Sequence, residues 1–424
     1  MIKTKWRNDI ELTYEIELMD SSKKSIEEAV DNMLAGVTIG TIQTSAGNYT
    51  PKEQCMFGTI PGAFKGGIKE IKGISENRYR AIINFSSDIS QTTEMGFAGL
   101  LSVAAGDGYG TAYEMKKIIL KDIKMPENVL TDFPGPQFGD MYIRKKLGIE
   151  NLNKPLTALL LKPNTGQITE HYARFAKEAA MGGINYIKED ELQFNHINCP
   201  LEERVVGILK VLEEVKQKNG RQILYAPNIT AGSQKMIIEN AKKVVDLGAE
   251  AVMINVMQVG LDTLRVLTEA NIGVPIHIHR AGHDNFTRGD FGIDIYVLNK
   301  LFRLGGADLI HTGPVFGNLY NPDDVVKNII ALQNNSNGMK KSLPILSRSS
   351  IESLQDSINY IGTNKEVVNP GNVMFLVDKG VYDFADKKTG DITYGVEKFV
   401  EQVNNIIINR HISKNKILEA QNIL

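Results

Sequence analysis

Hydrophobic and polar positions run along this 424-residue chain in two different rhythms. Up to about residue 136, short strand and helix patterns mix. "IELTYEIEL" alternates apolar and polar side chains, the period of a half-buried strand. "SKKSIEEAVDNMLAG" has helical spacing, with Ser21 or Ser22 placed to cap it. "RYRAIINFS" reads as a strand, "EMGFAGLLSVAAG" as a helix and "AYEMKKIILKDIKMP" as a returning strand. That order predicts an α+β domain with an antiparallel sheet over residues 1–136. "DFPGPQFGD", rich in proline and glycine, reads as the connection to the remainder of the chain.

The second rhythm, over 137–424, is strand, loop, helix, repeated. Apolar runs near 157–163, 184–190, 223–230, 251–256, 275–280, 308–313, 343–347 and 372–378 read as strands. Helix-period segments lie between them, for example at 167–181, 203–218, 233–247 and 321–334. Eight strand–helix units fit a (β/α)8 barrel in number and alternation. A doubly wound sheet also alternates, but no GxGxxG follows a strand here.

Composition narrows the class. The chain is 42% hydrophobic and 23% charged, with a net charge of -2. That balance excludes a strong field for nucleic acid or anionic membrane, and no apolar run reaches the length of a membrane span. The start lacks the apolar core of a signal peptide, so a cytoplasmic location is expected. Two cysteines, Cys55 and Cys199, make neither a disulfide scaffold nor a zinc site.

The candidate chemistry sits where a barrel keeps it, at the carboxyl ends of the strands. The first strand ends in Lys162, and the second in Lys188, Asp190 and Glu191. The third ends in Asn228 and Thr230, and the fourth carries Asn255. The fifth ends in His277, His279 and Arg280, with His283 just beyond; the sixth ends in His311 and the seventh in Ser347. Taken singly, each of these residues has an ordinary structural explanation, such as a solvated charge or a hydrogen-bonded core histidine. Their convergence on one barrel face points to a site. Two carboxylates at a strand end suit a hard divalent cation such as Mg2+. A lysine whose pKa is depressed by burial can react with CO2 to give an anionic carbamate, and a carbamate on Lys188 would make a three-oxygen face with Asp190 and Glu191.

"GGINYIKEDE", "HIHRAGH", "GGADLIHTG" and "LLKPNTG", in this order and spacing, resemble the signature segments of the ribulose bisphosphate carboxylase superfamily. The resemblance implies a ferredoxin-like α+β domain followed by a TIM barrel, and a homodimer or a multimer of dimers. It implies Mg2+ held by the Lys188 carbamate, Asp190 and Glu191, with Lys162 as acid/base and His279 near the reacting carbons. Arg280, His311 and Ser347 match substrate-holding groups, and Thr41 matches a residue that contacts substrate in the partner site.

Departures from the family pattern are equally specific. Asn318 in "VFGNL" replaces the lysine that stabilises a carboxylated intermediate, and asparagine has no charge to offer. Gly36 stands for an N-terminal glutamate, Asp107 for an asparagine and Asn164 for a second lysine. The seventh-strand glycines are replaced by Arg348 and Ser349, and the eighth-strand glycine run is matched to "NPGN", Asn369 to Asn372. Arg348 can bind an anion through its planar fork. Together these imply a non-carboxylating, RuBisCO-like enolase or isomerase acting on a keto sugar-derived substrate. Familiar members of that branch act on 2,3-diketo-5-methylthiopentyl 1-phosphate or methylthioribulose phosphate. Decarboxylation of a β-keto sugar acid and a non-catalytic scaffold or sensor are the competing readings.

Overall fold

The structure, a computed structural model, describes residues 8–20, 25–38, 66–313, 322–334, 338–348, 357, 360 and 370–405. The chain divides into two compact units. One comprises Met1–Phe133 with Gly282–Leu301; the other comprises Pro134–Ala281 with Phe302–Leu424.

The first unit is built on strands β1 (Asn8–Leu18), β2 (Gly67–Ser75), β3 (Arg78–Ser86) and β4 (Met115–Lys124), laid side by side as β4-β1-β3-β2. All three pairings are antiparallel, which with helices Ile26–Thr38 and Thr92–Ala105 gives the ferredoxin-like βαββαβ arrangement. Alternation decides the buried face: Ile10, Leu12, Tyr14, Ile16 and Leu18 are buried, while the residues between them are only partly so. The first helix is capped by Ser25, not by Ser21 or Ser22. Glu28 N donates to Ser25 Oγ at 3.2 Å and Ser25 N donates to Glu28 Oε2 at 3.3 Å, a reciprocal capping box. The second helix breaks at Gly96, whose φ of 57° is open to glycine. Two strands escape the periodicity. β2 is an edge strand whose residues are mostly exposed, so it shows no apolar alternation. A three-residue strand, Phe291–Ile293, adds itself parallel to β4 from far along the chain.

The second unit is an eight-stranded parallel barrel. Its strands, one to eight in chain order, are Leu156–Leu160, Tyr186–Lys188, Leu224–Ala226, Val252–Asn255, Ile276–His279, Leu309–His311, Leu343–Arg348 and Met374–Val377. Neighbouring strands pair in the order three, two, one, eight, seven, six, five, four. The ring closes between strands three and four by a single bridge, where Ile229 N donates to Met253 O at 2.9 Å and Met253 N to Pro227 O at 2.8 Å. Inward side chains such as Leu156, Ala158, Leu160, Tyr186, Met253, Ile345 and Met374 fill the interior as one apolar cluster.

Asp308 ties the segment entering the barrel to strand five. Its buried carboxylate accepts from Phe138 N at 2.9 Å, Gly139 N at 2.7 Å and Ile276 N at 2.9 Å. Burial pushes this carboxyl up to about 6, against those backbone donors, which favour the anion. The folded state therefore keeps the proton up to about pH 6, whereas the unfolded chain releases it at ~3.9. The folded state binds more protons in that window, so this group's contribution to stability falls as pH rises through it. In Asp308→Asn that pH dependence should vanish, flattening the shift in urea midpoint between pH 4 and pH 7 relative to wild type. An unchanged shift would refute the assignment.

Candidate active site

The inward face of each strand changes character along its length. Tyr186 and Lys188 of strand two share one face, as do His277 and His279 of strand five and Leu309 and His311 of strand six. Mostly apolar residues near the strands' amino ends fill the core, His277 being a polar exception, and polar residues stand at the carboxyl ends.

The four consecutive charges of strand two separate by this alternation. Lys188 is 0% exposed, and its Nζ lies 2.6 Å from His279 Nδ1. Burial pushes the amine down to about 8, although the Glu191 and Asp190 charges oppose the shift. Glu189 turns the other way into a buried ion pair, with Arg204 Nε 2.6 Å from Glu189 Oε1 and both side chains 0% exposed. The Tyr225 hydroxyl and Asn228 N, the latter at 2.8 Å, also donate to Glu189. Asp190, nearly fully buried, accepts from Lys162 Nζ at 2.8 Å. Glu191 Oε2 lies 3.2 Å from His279 Nε2. Burial and then the neighbouring Asp190 charge raise the Glu191 carboxyl. His279 is held well below the ordinary imidazole range, first by burial and then by Lys188.

Lys162, Lys188, Asp190, Glu191 and His279 thus form one connected group. Asn228 and Asn255 support it from behind. Asn228 Nδ2 donates to the Asp190 and Glu191 carbonyls at 3.1 and 3.2 Å. The Asn255 amide, oriented to satisfy its surroundings, donates to the His279 and Ala281 carbonyls at 3.3 and 3.1 Å. His311 and Arg280 are buried at the ends of strands six and five, and Ser347 is half-buried near the end of strand seven. Arg348 closes strand seven, but its side chain lies outside the described residues, as do Thr41, Asn318, Ser349 and Asn369. Asp107 and His283 belong to the first unit.

One placement needs correction. Pro370–Asn372 forms a 3-10 turn before strand eight, at its amino end, so the "NPGN" run does not lie at the catalytic face. Its glycine answers a packing need: a Cβ on Gly371 would lie 1.8 Å from the Leu152 carbonyl oxygen, and Arg144 donates to the Gly371 carbonyl. At the carboxyl end of strand eight stand Asp378 and Lys379. With Lys162, Pro163, Asn164, Thr165, Phe175 and Tyr382 they line a pocket of about 700 Å3, within the size range of small-molecule sites. The aromatic wall of this pocket, Phe175 and Tyr382, carries no site signal in the sequence, since both rings stand on helices.

The residues fit the group that the resemblance implies. Among the described residues no set of three or more histidine, cysteine or carboxylate side chains is placed to hold a metal. Two adjacent carboxylates therefore need a further oxygen donor, and a carbamate on the buried Lys188 amine would be such a donor.

A parallel barrel carrying a buried lysine and paired carboxylates past its second strand belongs to the enzymes that keep their chemistry at the barrel's carboxyl face. The family model described as "Ribulose bisphosphate carboxylase large chain, catalytic domain" matches residues 142–359. The chain is 32% identical over 305 residues to the ribulose bisphosphate carboxylase of Methanocaldococcus jannaschii, covering 71% of this chain and 69% of that one. It is 31% identical over 311 residues to that of Pyrococcus abyssi, covering 72% and 69%. The octameric Rubisco structure from Pyrococcus horikoshii superposes with a TM-score of 0.81 at 26% identity, covering 95% of this chain and 89% of that one. A rubisco-like protein from Alicyclobacillus acidocaldarius shares the fold, with a TM-score of 0.76 at 22% identity over 93% of each chain. This chain belongs to the ribulose bisphosphate carboxylase large-chain family. Among the described residues no helix is long and apolar enough to cross a membrane.

Proposed function

We propose that this protein is a non-carboxylating member of the family that enolises a keto sugar-derived substrate, giving tautomerisation or isomerisation. The observation that carries the reading is the connected group of Lys162, Asp190, Glu191, His279 and the buried Lys188. Asn318 in place of the sixth-loop lysine supports the loss of carboxylation. The carbamate of Lys188, with Asp190 and Glu191, would hold Mg2+. When bound there, Mg2+ supplies a Lewis acid that polarises a ketone carbonyl and favours loss of the neighbouring proton. Lys162 Nζ, at the rim of the adjoining pocket, takes the α-proton; the Lys188 carbamate is the second candidate for that role. His279, neutral and fixed between Lys188 and Glu191, orients the substrate oxygens. Arg280, His311, Ser347 and Arg348 hold the far end of the substrate. The proposed assembly is a homodimer or a multimer of dimers, in which Thr41 and Asp107 serve the partner's site.

The test tracks deuterium. Incubated in D2O with Mg2+, bicarbonate and 2,3-diketo-5-methylthiopentyl 1-phosphate or related keto sugars, the protein should place deuterium on the carbon next to the ketone. Lys162→Met should slow this exchange by about 10²- to 10⁴-fold. Labelled CO2 should not be fixed onto ribulose 1,5-bisphosphate; fixation would overturn the reading. Release of CO2 from a β-keto sugar acid, without deuterium exchange in any keto sugar, would replace it with decarboxylation.

A further inference from the structure

Beneath the proposed site, two buried polar groups that the chemistry above leaves unused, Tyr186 and His277, lead to His311. Tyr186, His277 and His311 come from strands two, five and six and are 0%, 0% and 4% exposed. The Tyr186 hydroxyl oxygen lies 3.0 Å from His277 Nδ1, and His277 Nε2 lies 2.8 Å from His311 Nε2. The rings are also in contact, with centroids 5.6 Å apart for Tyr186 and His277 and 4.9 Å apart for His277 and His311.

The direction of the two hydrogen bonds comes from proton counting. Burial above all holds both imidazoles well below their ordinary range, so each is neutral and carries one ring proton. Two neutral rings facing each other Nε2 to Nε2 hold one proton between them: one ring donates and the other accepts. The far end of the row decides which. A tyrosine phenol carries its proton at neutral pH. Among the described residues, His277 Nδ1 is the acceptor within reach of that hydroxyl. A buried O–H cut off from water is costly unless it donates, so it donates there. His277 Nδ1 is therefore bare, its proton sits on Nε2, and Nε2–H donates to His311 Nε2. His311 is left with its proton on Nδ1.

We propose that Tyr186 is a positioning residue: acting through His277, it fixes His311 as an Nδ1–H donor toward an oxygen of the substrate. This rests on the reading of His311 as a substrate-binding group. Phenylalanine at 186 would fill the same apolar cluster but carry no O–H, so nothing would select between the two proton arrangements of the histidine pair.

The experiment is NMR of 15N-histidine-labelled protein, in which ring nitrogen shifts and couplings distinguish the two tautomers. In wild type, His277 should be the Nε2–H form and His311 the Nδ1–H form. In Tyr186→Phe, His311 should move to a roughly equal mixture of forms, with the thermal midpoint within a few degrees of wild type. His311 carrying its proton on Nε2 in wild type would overturn the proposal, and so would tautomers unchanged in Tyr186→Phe. The wild-type spectrum alone decides the matter should the variant not fold. Because no turnover is needed, failure here is distinct from failure of the proposed enolisation.

Discussion

Lys188→Ala should lower Mg2+-dependent deuterium exchange by about 10³-fold or more, the scale set by removing preorganised charge at a reacting carbonyl. The expectation rests on three features of one residue. Its amine is fully buried, which pushes its pKa down to about 8, so a substantial neutral fraction exists near neutral pH. It stands beside a carboxylate pair, and the Glu191 carboxyl is raised by burial and by the Asp190 charge. A carbamate converts the lysine from a rival of cations into an oxygen donor. Alanine removes that donor and leaves Asp190 and Glu191 without a third. Formation of the carbamate requires the neutral amine. With 13C-labelled bicarbonate, the carbamate carbon signal should therefore grow as pH rises through about 8 and be absent in Lys188→Ala. A variant that retains Mg2+-dependent exchange, or a signal that persists without Lys188, would sink the metal assignment.

Arg204→Met should destabilise the barrel by about 3–5 kcal/mol, because it strands a fully buried carboxylate. Glu189 and Arg204 are each 0% exposed and joined at 2.6 and 3.1 Å. Burial works against the Arg204 charge, and Glu189 more than offsets it. Once the guanidinium is gone, the Tyr225 hydroxyl and Asn228 N remain as donors to Glu189, but no positive charge does. The double variant Glu189→Met with Arg204→Met should recover most of the loss, since well-packed apolar side chains replace buried ion pairs at little cost. Urea denaturation of the two variants checks both statements. A loss under about 1 kcal/mol for Arg204→Met would mean that water reaches Glu189. The pair also bears on the site, because Glu189 lies between Lys188 and Asp190, and anchoring it outward aims both neighbours inward.

Much of the barrel is legible in the chain. The eight apolar runs of the second half coincide with the eight barrel strands, because a strand buried on both faces must be apolar along its length. The polar residues just past those runs are the ones that gather, since parallel strands present all their carboxyl ends to one side. Elements without a local signal escape such a reading. β2 is an exposed edge, and Phe291–Ile293 is too short for a period to emerge. Ser25 caps its helix in place of the serines a few residues earlier, because its partner Glu28 completes the capping motif. The "NPGN" run is matched by the resemblance to the eighth-strand glycines, yet its glycine precedes that strand and lets the Leu152 carbonyl approach.

The amino-acid sequence by itself determined the architecture and the identity of the charged group at the end of strand two, because both come from short-range periodicity and composition. Only the tertiary structure decided the partners: Lys188 with His279, Lys162 with Asp190, Glu189 with Arg204, and Tyr186 through His277 with His311. Each of these pairs joins residues from different strands, helices or loops of the barrel. Their meeting depends on barrel closure and on which face each strand turns inward, and a one-residue change of register would exchange every one of them.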